Sequence, residues 1–274
     1  SAITLSSDGT SLLLNGTAIG GSPDLYADNY DGSATKPNAS ASNSVALGKN
    51  AVSGGGSSIA FGASASSAGN LSSAIGFNAA VGCSGSFAAA IGQAYANGSD
   101  SLAAVITNNT SSYGATGANS IAIGYQNKAD DPNAVAIGKS NISSGSQTSI
   151  AIGQSNNVTG MRGVAIGSSN TVSGLIGHAY GDNNTVSGQY AVAFNRDNDA
   201  ASNYSFVSGY YADSHGVKGR FARGTGGLSL NGTRGDAQYG LLVLAKNTTD
   251  ATQTALSTDT LTAGSDNQLV VQNN

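Results

Sequence analysis

This chain of 274 residues has no tryptophan, one cysteine, three prolines and no glutamate; all 15 of its acidic residues are aspartate. One cysteine, Cys83, allows no disulfide within the chain, so covalent staples do not hold the fold, and the side chain reads as a small hydrophobe. Glutamate is a good helix former, whereas Asp, Asn, Ser and Gly favour turns, so helix is disfavoured along the chain. Charge is also scarce: 9% of residues are charged, against about 25% in an average globular domain. The net charge of −4, with Lys and Arg scattered, leaves no basic stripe for nucleic acid. No apolar run is long enough for a membrane-spanning helix, and membrane insertion is not expected.

What the chain has instead is repetition. The phrase "SVALGKNAVSGG" at 44–55 returns as "SIAIGYQNKAD", "AVAIGKSNISSG", "SIAIGQSNNVTG" and "GVAIGSSNTVSG". The residue closing each small-apolar phrase is Gly48, Gly62, Gly76, Gly92, Thr107, Gly124, Gly138, Gly153, Gly167, Gly181, Asn195 or Gly209. Successive gaps are 14, 14, 16, 15, 17, 14, 15, 14, 14, 14 and 14 residues, a period too short for helical repeats. Such a period is one coil of a β-solenoid. Two short strands and two corners make each coil, and the glycine marks a corner with φ > 0 or a close backbone approach. Asn195 satisfies that requirement, because Asn tolerates the left-handed region; Thr107 does not, so its coil is expected to be distorted.

Within the strands, apolar residues alternate with period two. The expected core is Val45 and Leu47, Ile59 and Phe61, Ile121 and Ile123, Val135 and Ile137, Ile150 and Ile152, and Val164 and Ile166. Ala46, Ala60, Ala122, Ala136, Ala151 and Ala165 stand between them and are expected to face outward, kept small by a neighbouring backbone. A second strand begins at Val52, Val81, Ile142, Val158, Val172 or Val186 and closes on an "SG" turn such as Ser173-Gly174. Asn, Ser and Thr in "SNNVTG", "SSNTVSG" and "DNNTVSG" are expected on the outer corners, as solubilising cover or as a glycan-contacting surface.

The coils need one another. Burying two or three aliphatics returns roughly 1.5–3 kcal/mol each, whereas ordering the backbone of one coil costs about 1–2 kcal/mol per residue. Stacked coils share ladder hydrogen bonds, so stability grows with each neighbour. At a strand spacing near 4.8 Å, the twelve marked coils span about 55–60 Å.

The phrases "NSVALGKNAVSG", "SIAIGYQNKA", "AVAIGKSNISSG" and "GVAIGSSNTVSG" resemble the head repeats of YadA-like trimeric autotransporter adhesins, which also occur in bacteriophage fibre proteins. The resemblance covers about residues 43 to 215. It implies a left-handed parallel β-roll, three copies of which pack about an axis as a homotrimer, with a head that contacts a host-cell glycan or protein. No signal peptide, heptad stalk or barrel strand is visible. The expectation is thus a non-enzymatic fibre on a virion, in contact with other virion structural proteins, or an adhesin head on a bacterial cell surface.

The expected organisation is an N-terminal hairpin over 1–20 with its turn at Asp8-Gly9, a linker or cap over 21–43, β-roll repeats over 44–215 and a small β domain over 216–274. Strands are expected at Leu241 to Ala245 and Leu269 to Val271. The segment 232–259 resembles the stretch C-terminal to such repeats in phage tail and fibre proteins.

Catalytic, metal and cofactor sites are not expected. Asp213, Ser214 and His215 are adjacent in sequence, which is no triad. His178 and Tyr180 replace Val and Ile at core or trimer-axis positions, and the two histidines lack ligand spacing. Asp182, Asp197, Asp199 and Asp213 fall mainly on turns, unlike the carboxylate pair of a glycan depolymerase. "RGD" at Arg234-Gly235-Asp236 reads as a turn, and Lys218, Arg220 and Arg223 as solvated charge.

Overall fold

A computed structural model describes residues 5–7, 12–14, 17–19, 37–82, 85–105, 112–226 and 234–242. Cys83, Thr107, residues 21–36 of the expected linker or cap over 21–43 and the segments 243–245 and 269–271 lie outside the described residues. All regular structure among the described residues is strand.

At the N-terminus Leu5–Ser7 pairs antiparallel with Leu12–Leu14, which pairs in turn with Thr17–Ile19. The rest is a β-solenoid of about 13 turns. Turns contribute long strands to a 14-stranded sheet and, as far as Asp199–Ala200, two-residue strands to a facing 12-stranded sheet, after which, among the described residues, only the bridge of Asp199 with Asp213 continues it. The stack begins at Asn38–Ala39 and reaches Phe221–Gly226. There the parallel order stops, because Ala237–Leu241 pairs antiparallel with Phe221–Gly226.

Repeats lie in register, one above another. Ile123, Ile137, Ile152 and Ile166 form one row along the long-strand sheet, and Ile121, Val135, Ile150 and Val164 form the row beside it. The marker positions form the corner: Gly48, Gly62, Gly76, Gly92, Gly124, Gly138, Gly153, Gly167, Gly181 and Gly209 all carry positive φ, and Asn195 joins them at φ 78°. A Cβ on Gly153 would collide with the Gly167 carbonyl oxygen of the next coil. The close approach and the left-handed backbone coincide there, which leaves glycine as the ordinary solution.

The inside and outside of the long strand are the reverse of the sequence expectation. Ala60, Ala74, Ala90, Ala103, Ala122, Ala136, Ala151, Ala165, Ala179 and Ala193 are 0% exposed and fill the interior. Ala46, expected outside with them, is partly buried and packs against this core. The flanking aliphatics point away from it: Val45 is 50% exposed, Phe61 51%, and Ile59, Ile123 and Ile166 are also exposed. Leu47, Ile121, Val135, Ile137, Ile150, Ile152 and Val164 are half-buried.

The physical reason is width. Facing sheets filled with large side chains sit about 10 Å apart, whereas an interior lined by alanine, serine and valine calls for less. Only one residue of each three-residue apolar phrase points inward, and that residue has to be small.

The facing row of the short-strand sheet confirms how little room exists. It reads Ser53, Ser67, Val81, Ala96, Ala115, Ala129, Ser143, Val158, Val172, Val186 and Ala200, each buried. Val52 and Ile142, expected to start the same row, point outward and are exposed. Five or more residues later comes a complementary size: Ser58 after Ser53, Ser72 after Ser67, Gly163 after Val158 and Gly177 after Val172. A Cβ on Gly163 would meet Val158 Cγ1 at 2.8 Å, so glycine at 163 makes room for valine at 158, whereas Val186 stands beside Ala191. Where the row holds serine, the two hydroxyls hydrogen-bond instead, at 2.6 Å for Ser53 with Ser58 and 2.7 Å for Ser67 with Ser72.

Candidate functional site: an exposed apolar ribbon beside a buried asparagine ladder

Because the long-strand aliphatics face outward and stack coil on coil, they form two adjacent rows running the length of the solenoid. The first is Val45, Ile59, Ser73, Ala89, Leu102, Ile121, Val135, Ile150, Val164, His178, Val192, Phe206 and Phe221. The second is Leu47, Phe61, Ile75, Ile91, Ala104, Ile123, Ile137, Ile152, Ile166, Tyr180 and Phe194, followed by Ser208 and Arg223. Isolated surface hydrophobes need no explanation, but a continuous apolar strip marks an interaction surface.

Toward the C-terminal end the ribbon turns aromatic. Tyr180 stacks on Phe194 with centroids 4.8 Å apart, and Phe206 stacks on Phe221 at 5.2 Å. His178 and Tyr180 therefore occupy the rows of Val and Ile, as their spacing suggests, but those rows lie on the outer face.

The corner next to the ribbon holds residues that the sequence pattern places outside. Asn127, Asn141, Asn156, Asn170, Asn184 and Asn198, each three residues past the corner position, are at most 1% exposed. Asn156 is representative. Its Nδ2 donates to the Ile152 carbonyl at 3.0 Å, to the Gly167 carbonyl of the next coil at 2.9 Å and to Asn141 Oδ1 of the previous coil at 3.0 Å. Its Oδ1 accepts from the Asn170 backbone N–H at 3.1 Å and from Asn170 Nδ2 at 2.9 Å.

Six such amides make an internal ladder that satisfies backbone groups a tight corner leaves unpaired. The phrases "SNNVTG", "SSNTVSG" and "DNNTVSG" thus each contain one interior asparagine, and only their other polar residues are surface. The signal available in the sequence is phase: the buried residue keeps one offset from the glycine in six coils, whereas its neighbours vary.

The remaining candidates are structural. Ser214 is buried, and its Oγ accepts from the Ser202 backbone N–H at 3.1 Å and pairs with the Ser202 hydroxyl. The His215 backbone N–H donates to Asp213 Oδ1 at 2.6 Å and its Nδ1 lies 3.8 Å from Asp213 Oδ2, while the Ser214 hydroxyl is engaged by Ser202. Asp182 and Asp199 lie in strands and Asp197 at a corner. Arg196 pairs with Asp197 at 3.1 Å and Asp182 at 3.4 Å.

"RGD" does form a turn. Its arginine is committed to the flank of the solenoid: Arg234 approaches Asp199 at 3.6 Å and donates to the Asn183 carbonyl at 3.2 Å. Burial first, then repulsion from Asp213, raises the Asp199 carboxyl above its ordinary range, and Arg234 opposes the shift. Of the basic cluster, Lys218 lies 5.5 Å from the Tyr204 ring centroid, and Arg220 is lowered from its usual range by burial. Among the described residues no group of His, Cys, Asp or Glu has the arrangement of a metal site. No helix there is long and apolar enough to cross a membrane.

No curated protein matches this chain. The model of the YadA head domain repeat matches residues 38–51, 115–141 and 146–170. These segments fall on turns of the solenoid at its start and through its centre, and the unmatched turns between and after them continue the same register. Over those segments the coil of this chain is similar to the YadA head domain repeat.

Proposed function

We propose that the chain is the head of a non-enzymatic, adhesin-like surface fibre in which three copies pack their apolar ribbons about a common axis. The ribbon carries this reading. Large aliphatic and aromatic side chains stay outside one chain because its interior is too narrow for them. Water-exposed rows of this length call for a partner surface of the same shape, and a second and third copy supply it. YadA-like heads are typically homotrimeric and displayed at bacterial cell surfaces, which supports the same arrangement. Placement on a virion rests on the occurrence of such repeats in phage fibre proteins and on the resemblance of segment 232–259, whereas the match to the YadA head domain repeat favours the bacterial cell surface.

Sedimentation equilibrium tests the assembly. The expected mass is three times the 26.8 kDa of one chain. Lysine substitutions at Ile137 and Ile152 together should return it to one chain with an unchanged β spectrum. A monomeric parent chain, or a trimer indifferent to both substitutions, overturns the reading. Antibody labelling of intact cells and of purified particles decides where the fibre is displayed.

A further inference from the structure

The aliphatic row of the ribbon ends at Phe194. Beyond it, Ser208 and Arg223 take the same row, and an open pocket of about 680 Å³ forms at the corner, lined by Asn195, Arg196, Tyr210, Arg223, Thr225 and Tyr239. The pocket belongs wholly to one chain and is built where parallel order gives way to the antiparallel strand Ala237–Leu241, which sets Tyr239 directly opposite Arg223.

Its groups divide by availability. Arg196 is held by Asp182 and Asp197, and its guanidinium lies 5.6 Å from the Tyr210 ring centroid. Tyr211 packs against Tyr210 at 4.3 Å, so Tyr210 is a fixed wall. Arg223 has no ion pair among the described residues, and Tyr239 is 56% exposed with its ring unpaired there.

A guanidinium fork without a carboxylate partner recognises carboxylates bidentately, while the neighbouring ring offers a flat apolar face to the C–H side of a pyranose. The Asn195 amide and the Thr225 hydroxyl add neutral groups suited to sugar hydroxyls. We propose that this pocket binds an acidic sugar, a uronic or sialic acid residue of a surface glycan, with Arg223 taking the carboxylate and Tyr239 the ring. The site extends the adhesion reading by a ligand class. All its groups come from one chain, and Arg223 stands past Phe194, the last apolar residue of the second row.

Saturation-transfer NMR on the full chain tests it with free N-acetylneuraminic acid, free glucuronic acid and the neutral sugar glucose. Transfer is expected from at least one acid and not from glucose, weakening as salt is raised. Arg223→Gln should weaken binding about tenfold or more, the loss of a charge-assisted contact, and Arg223→Lys should keep only part of it. Tyr239→Ala should lower the transfer to the ring protons, and Arg162→Gln, on a distant corner, should change nothing. Circular dichroism confirms that each variant keeps its strands.

Absence of transfer from both acids, equal transfer from glucose, or a parent-like Arg223→Gln overturns the proposal. So does displacement of the sugar by acetate at the same concentration, which marks a bare carboxylate site, or binding of an acidic peptide in place of both sugars. A monomeric chain that still binds the sugar would sink the trimer and leave this site standing.

Discussion

The first coils and the later ones close the same corner by different means. In the stretch 45–79 the residue three past the glycine is Ala51, Ala65 or Ala79, and the turn satisfies itself: Ala51 N–H donates to the Gly48 carbonyl at 3.1 Å and Ala65 N–H to Gly62 at 3.2 Å. From 124 to 198 that residue is asparagine, and the backbone N–H of Asn141, Asn156, Asn170, Asn184 and Asn198, like that of Ala212 after them, donates to the preceding coil's side-chain oxygen.

Strand length tracks this choice. Val45–Leu47, Ile59–Phe61 and Ser73–Ile75 have three residues each, whereas Ile121–Tyr125, Val135–Lys139 and Ile150–Gln154 have five. In the asparagine region the strand continues through the glycine, as it also does in Phe206–Tyr210, whose Ala212 N–H still donates to Asn198 Oδ1. The opposite corner compensates in part: the first two coils carry the Ser53–Ser58 and Ser67–Ser72 pairs, while three coils of the asparagine region carry Val158, Val172 and Val186. Asn141 breaks the trade, because its coil also holds the Ser143–Ser149 pair.

The sharpest way to break the comparison is Asn156→Asp. A carboxylate there has no N–H to give the Ile152, Gly167 and Asn141 oxygens and buries a charge, so a loss of about 3–5 kcal/mol is expected. Asn156→Ala should cost about 2–4 kcal/mol through the unpaired groups it leaves. Urea midpoints measure both, and an Asn156→Ala cost below that of an average surface change would show that the ladder is ornamental.

Next comes the corner itself. Gly153→Ala forces a Cβ against the Gly167 carbonyl at φ 119° and is expected to cost about 3 kcal/mol. Asn195→Gly, at the same point of its own coil, should change stability by a few tenths of a kcal/mol at most. Thermal melts of the two variants side by side test whether one corner geometry serves both coils.

At the other corner, Gly163→Ser should cost about 1–3 kcal/mol by overpacking Val158. Adding Val158→Ser converts this coil to the Ser–Ser form of the first coils and should recover most of the loss. A double-mutant cycle with no coupling would refute the size complementarity.

The smallest effect belongs to Asp199. Its raised pKa means that the folded chain gains stability from this group as it protonates and loses it as pH rises through the folded value. Asp199→Asn should therefore be slightly more stable than the parent at neutral pH, with the gap closing as pH falls toward 3.8. The side chain is still partly exposed and Arg234 offsets part of the shift, so the gain is small. Melting curves across that range check the sign.

Much of this molecule is legible in particular residues. The glycine markers and Asn195 locate the positive-φ corner, and the "SG" dipeptides the opposite one. The alternation in "VAI" locates two faces of a strand but not which is inside, since period two is unchanged when the faces are exchanged. Hydrophobicity ranks isoleucine above alanine for the core, and that ranking fails wherever the interior is narrower than isoleucine. The same ranking puts Asn156 and Asn170 on the surface, because their type is usually exposed, and only their constant phase argues otherwise. The pocket is out of reach of such reasoning, because Arg223 and Tyr239 are brought opposite each other by an antiparallel strand that comes after a break in the repeat.

Sequence alone determined the coil length, the corners and the parallel stack, because a left-handed backbone position recurring every fourteen residues admits few other arrangements. Tertiary structure decided what lies inside. The separation of the two sheets admits alanine, serine, valine and a ladder of amides, and it leaves the large aliphatics outside to seek a partner.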